Sequence, residues 1–227
     1  MIVFDSGPII SLTTSNLLWC LEELKKRSKG EFVIPGGVKR ELIDRPLETR
    51  RFKFEAIEVQ RLIDRKIVSL VDDPQVTRKA QALAELANSI LSAQGQRIKI
   101  VQIGEMETIA AALMFKSNCI AVDERITRTL IENPSGLQKL MERRLHTSLK
   151  VDERALHQFT EETRHLSVLR SVELVTMAFE KGILDKFVVN LPNARRELLE
   201  SVLWAVKLNG CSVTDEELDE IVKIESK

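Results

Sequence analysis

Short apolar runs alternate along this chain with longer stretches whose apolar residues recur at helical spacing. "IVF" at residues 2–4 is apolar and β-prone, and it reads as a buried strand. Beyond "DSGP", residues 9–29 carry the stripe of a helix in Leu17, Leu18, Leu21 and Leu24. "EFVIP" at 31–35 is a second strand, ended by Pro35 and the Gly36-Gly37 pair. "VKRELID" starts a helix at Val38 that should stop near Arg45-Pro46, because the residue before a proline is pushed out of the α region. Residues 47–66 make a further helix through Phe52, Ile57, Val59, Leu62 and Ile63, and "KIVSLV" at 66–71 is a third strand. A helix over residues 76–95 then ends at Gly95, and "RIKIVQI" forms a short extended piece. "GEMETIAAALMFKSN" opens a helix with two acids in its first turn, and "CIAVD" at 119–123 is another apolar run that ends in an aspartate.

Strands alternating with helices predict a three-layer α/β/α domain around a parallel sheet covered on both faces. After "LKV" at 149–151 the pattern changes. Residues 152–227 hold no strand alternation apart from "KFVVN" at 186–190, and they read as three or more helices broken at Gly182, Pro192 and Gly210. Thr214 and Glu217 form a capping box for the last of these. The expected division is an α/β domain at 1–151 and a helical C-terminal extension at 152–227. Leu169, Val172, Leu174, Val175, Phe179, Ile183 and Leu184 should bury against the core, with some of that surface available for a homodimer.

Composition narrows the class. With 44% apolar and 30% charged residues over 227 positions, the chain is globular with a sizeable core. No apolar run reaches the roughly 18 to 20 residues that cross a bilayer, and the start lacks the pattern of a signal peptide. These features lead us to expect a cytoplasmic protein without a membrane partner. Cys20, Cys119 and Cys211 are odd in number and far apart, so they imply neither a disulfide framework nor a zinc site. His146, His157 and His165 fall in no metal-ligand pattern. The zero net charge removes the simple argument for nucleic acid, although binding follows local patches rather than the total.

Acids carry the candidate chemistry. Asp5 and Asp123 each stand where an apolar strand ends, and in open parallel sheets ligands bind at that edge. Either Asp is alternatively a helix cap. Glu41 lies in the first turns of the helix after the second strand, and Glu105 follows Gly104 at another helix head. Glu105 shares a face with Ile109 and Ala112, whereas Glu107 points more than half a turn away, so Glu105 is the better inward-facing acid. Four acids on one edge would repel one another and raise their pKa values, a conflict that a divalent cation resolves. Oxygen ligands alone select the hard ions Mg²⁺ or Mn²⁺, and such a centre suits phosphodiester hydrolysis.

"IVFDSGPIISL", "FVIPGGVKREL", "GEMETIAAAL" and "IAVDERITR", in that order and spacing, resemble the PIN-domain family over residues 1 to about 150, and among its branches the prokaryotic, VapC-related one. The resemblance implies a Mg²⁺- or Mn²⁺-dependent ribonuclease with an acidic quartet of Asp5, Glu41, Glu105 and Asp123. Ser6 and Glu124 stand as additional site positions. RNA is the implied substrate, a second copy of the chain and a protein antitoxin or other regulatory protein the implied partners. The interval from Glu41 to Glu105 is longer than the family usually has, and the Gly/Thr-rich turn after its last strand is not visible near "HTSLKV". Lys39, Arg40, Arg125 and Arg128 flank the acids and would hold the RNA backbone, or they are ordinary solvated helix faces. Two further readings stay open: an RNA-binding relative without turnover, and a phosphotransferase or receiver-like domain with Asp5 as acceptor. "DSG" has neither the acidic pair nor the D-x-D that the last would need.

Overall fold

Val3, Phe4, Val33, Ile34, Ile120 and Ala121 are all buried, as strands covered on both faces must be. The computed structural model describes residues 1–225. Ile2–Phe4 (β1) leads into Ser6–Thr14 (α1) and Trp19–Arg27 (α2). Phe32–Pro35 (β2) continues into Gly36–Lys39 (α3), a π-helical turn at Arg40–Asp44, and Arg45–Leu47 (α4). Lys53–Asp64 (α5), Ser69–Val71 (β3) and Pro74–Ser89 (α6) follow, then a hairpin of Leu91–Ala93 (β4) and Gln96–Arg97 (β5). Next come Ile103–Met114 (α7), Cys119–Ala121 (β6), Arg125–Glu132 (α8), Leu137–Leu145 (α9) and Lys150–Val151 (β7). The described chain ends with Glu153–Thr163 (α10), Ser167–Leu169 (β8), Ser171–Glu180 (α11), Ala194–Leu208 (α12) and Asp215–Glu225 (α13).

The central sheet runs β3-β2-β1-β6-β8, and every neighbouring pair is parallel. Phe4 pairs with Ala121, and Ala121 with Leu169. Strand alternation sends Phe4 and Ile34 into one apolar layer, with residues of α1, α2, α5, α11 and α12. It sends Val3 and Ile120 into the other, with α6, α7 and α10. The result is the expected α/β/α sandwich. Among the described residues no helix is long and apolar enough to cross a membrane.

Besides the helix expected over residues 9–29, which is two helices, α1 and α2, parted at the left-handed Asn16 (φ 56°), four local expectations need correction. First, the sheet does not end before residue 152: β8 is its fifth strand, and three half-exposed residues are too few to show a period. "KFVVN" instead begins within a 3₁₀ turn at Asp185–Phe187 and continues into the exposed Val188 and Val189. Second, the helix predicted to reach Gly95 stops at Ser89. Gln94 and Gly95, with φ of 51° and 80°, make the left-handed two-residue turn that a hairpin prefers, and "LKV" adds β7 to that hairpin's other edge. Third, the helix from Val38 runs on past Arg45-Pro46. Pro46 has no N–H to donate, and the π-helical turn just before it lets the chain continue without that bond. Fourth, the helix read over residues 47–66 begins only at Lys53, after Phe52 has taken a left-handed conformation (φ 60°).

The C-terminal residues roof the sheet. Val172, Val175, Phe179, Leu203 and Val206 lie in the same buried cluster as Phe4, Ile9 and Leu12. A chain cut after Val151 loses these five side chains, each worth ~1.5–3 kcal/mol of burial, against a total stability on the order of 5–15 kcal/mol. It is expected to show no cooperative thermal transition by circular dichroism. A sharp melt like that of the intact chain would mean that residues 1–151 fold alone.

Candidate active site

The chain winds away from β1 in one direction through β2 and β3, and from β6 in the other through β8. A crevice opens at such a switch point, outside the carboxyl ends of the two central strands. Asp5 follows β1, and its N–H donates to Ala121 O at 2.9 Å. Asp123 stands two residues beyond β6. Together with Glu41, Glu105 and Glu124 they line a cleft of about 290 Å³, so the topology brings the expected quartet and its additional acid to one place. Gly7 makes this approach possible: a Cβ there would lie 3.3 Å from Asp123 Cβ and 3.7 Å from Asp5 Oδ2. Ser6 lines the same cleft at the head of α1.

The five acids are held differently. Asp5 occupies the N-cap position of α1, yet its side chain makes no capping hydrogen bond. Burial, reinforced by the charges of Glu105 and Glu41, pushes its carboxyl up to about 7 against the lowering effect of the Ser6 and Gly7 amides. Glu105, in the first turn of α7, accepts from Thr127 Oγ1 at 2.9 Å and from Gln102 N at 3.4 Å. Burial raises its pKa in spite of those bonds, and Glu124 and Glu41 add to the rise. Glu124 caps α8 by accepting from Thr127 N at 2.7 Å. The buried Thr127 therefore ties two cleft acids together, its hydroxyl to one and its amide to the other. Glu41 sits exposed at the rim, within the π-helical turn.

Asp123 is the most thoroughly bonded of the five. Its Oδ2 accepts from Ser11 Oγ at 2.6 Å and Ser171 Oγ at 2.8 Å, and its Oδ1 accepts from Ser171 N at 2.7 Å. Its carbonyl accepts from Ser212 N at 3.2 Å. Ser11, Thr127 and Ser171 were not among the candidate residues. Ser171 carries a signal in the sequence, a hydroxyl residue two positions after a short apolar run, as Ser6 is after "IVF".

Glu107 is more buried than Glu105, but on the other side of α7. It accepts from Gly37 N at 2.6 Å and from Arg40 Nη2 at 3.1 Å, which anchors the head of α3 and so the turn that carries Glu41. The basic rim is largely engaged: Lys39 pairs with Asp44, Arg40 with Glu107 and Arg128 with Glu132, while Arg125 is exposed without an ion pair among the described residues.

As the side chains are placed, no three His, Cys, Asp or Glu among the described residues stand together as a ready cage for an ion. The donor set nevertheless fits a hard divalent cation. It is all oxygen, no Lys or Arg among the described residues lines the cleft, and the buried Asp5 carboxylate is not used as a cap. The family model described as a PIN domain matches residues 1–138, a span that contains all five acids and stops short of β8 and Ser171. No curated protein and no solved structure gives a significant match.

The strained Asp5 makes a stability prediction. Its pKa is raised in the folded state, so its contribution is complete below about pH 3.8 and is lost as the pH rises through about 7. At pH 8 that loss is on the order of 4 kcal/mol. Asp5→Asn is neutral and of the same shape. Without divalent ions it is expected to melt above the wild type at pH 8, with the gap closing toward pH 4. Equal melting temperatures at pH 8 would show that the carboxylate carries no such cost.

Proposed function

We propose that this chain, which belongs to the PIN-domain family, is a Mg²⁺- or Mn²⁺-dependent ribonuclease that hydrolyses RNA phosphodiester bonds. The observation that carries this reading is the buried Asp5 carboxylate, uncapped and facing a cleft of acids at the switch point between β1 and β6. A buried carboxylate without a cation partner is costly, and a site that holds one in this way is built for a positive charge.

Asp5, Glu41 and Glu105 are the residues that would hold the ion; Asp123, the fourth acid of the expected quartet, has its carboxylate bonded to Ser11 and Ser171 and is assigned a supporting role instead. When bound, it would activate water and stabilise charge on the phosphate oxygens. Thr127 keeps Glu105 and Glu124 in register with each other. Asp123 supports the site by holding α1 and α11 to the end of β6, which keeps Asp5 beside it.

One observation favours a second reading, RNA binding without turnover: three donors already occupy the Asp123 carboxylate. A single assay separates the two. End-labelled single-stranded RNA is expected to be cut by the wild type in Mn²⁺ or Mg²⁺ and left intact in EDTA. Asp5→Asn and Glu105→Gln should keep their fold and lose ~10²-fold or more of the rate. Cleavage by Asp5→Asn at the wild-type rate would show that Asp5 does not hold the ion, and a wild type that neither cuts nor binds RNA would overturn the ribonuclease assignment. RNA that is bound but never cut would select the second reading.

A further inference from the structure

We infer that the acid cleft continues into a second, phosphate-binding subsite, in which Lys99 and Arg144 hold the RNA strand beside the bond to be cut. The inference rests on the ribonuclease reading above. A cavity of about 500 Å³ adjoins the cleft and shares Gln102, Glu105 and Glu124 with it. Its size falls within the ~300–1,000 Å³ of ligand sites. One wall is the extended strip from Ile98 to Val101, and the other is the C-terminal half of α9.

Charge places the phosphates. The acids of the cleft repel a polyanion, so a strand that reaches them needs cations close by. Lys39, Arg40 and Arg128 are engaged by carboxylates, and Arg125, which has no ion pair among the described residues, lines neither the cleft nor this cavity. Lys99 and Arg144 are exposed on the cavity walls and make no ion pair among the described residues. The strip that presents Lys99 is fixed although it belongs to no sheet. Asn88 Oδ1 accepts from Ile100 N at 2.7 Å and Val101 N at 3.0 Å, and its Nδ2 donates to Val101 O at 3.2 Å. Among the described residues no aromatic ring lines the cavity, so it offers apolar contact through Ile98 and Met141 rather than a stacking platform. Such a subsite grips the backbone and reads little sequence.

Binding of a fluorescent single-stranded RNA of mixed sequence, followed by anisotropy in EDTA across a salt series, tests the subsite without requiring cleavage. The variant Lys99→Ala/Arg144→Ala is expected to bind at least tenfold more weakly. Its slope of log affinity against log salt should fall by about 1.4, since each phosphate contact on a single strand contributes about 0.7. A control, Lys29→Ala/Lys116→Ala, changes two exposed cations at the opposite end of the strands and should behave as wild type. A Lys99/Arg144 variant with wild-type affinity and slope would overturn the subsite, as would a wild type without measurable RNA affinity. The first result leaves the cleavage assay untouched, so the subsite can fail while the ribonuclease reading stands.

Discussion

The buried Asp123 carboxylate is the interaction on which the rest of this structure turns. A charge taken out of water at the end of β6 is tolerable only if donors surround it. Here they come from two helices, Ser11 in α1 and Ser171 in α11, while the Asp123 carbonyl holds the loop at Ser212. Satisfying one carboxylate therefore fastens the first helix, the last strand of the sheet and the C-terminal roof to one point. That point is also the floor of the cleft.

The other acids show how hydrogen bonding divides one residue type into different tasks. Glu107 is satisfied by Gly37 and Arg40 and acts as a brace between α7 and α3. Glu124 is a helix cap and Glu105 a half-satisfied neighbour, joined through Thr127. Asp5 sits in the position of a cap and does not cap. Its rigidity comes instead from the strand behind it, with Phe4 fully buried. The well-bonded acids stabilise the fold, and the poorly bonded one stores the electrostatic cost that a cation would relieve.

The surface follows the same economy. Three of the four basic residues nearest the acids in sequence are neutralised by carboxylates, which leaves Arg125 as the one of the four without an ion pair among the described residues. The segment beyond the family match is equally involved: it supplies β8, one donor helix for Asp123 and much of one apolar layer. The site and its C-terminal cover form one packed unit.

Much of this was legible in the sequence by itself. Buried strands are short apolar runs, and "IVF", "FVIP" and "CIA" announce themselves without any partner. The alternation with helices determined the layer architecture, and the acids at the strand ends marked the edge at which the cleft lies. What only the tertiary structure decided involves contacts between distant residues. β8 exists because an edge of the sheet was there to receive three residues that carry no period of their own. The π-helical turn answers Pro46, and the hairpin at Gln94-Gly95 answers an edge that β7 completes. Ser11 and Ser171 reach Asp123 across 112 and 48 residues, and nothing local tells a buried serine from an idle one. Local pattern is set by neighbours along the chain, whereas the satisfaction of a buried charge is set by neighbours in space, and these are known only once the chain has folded.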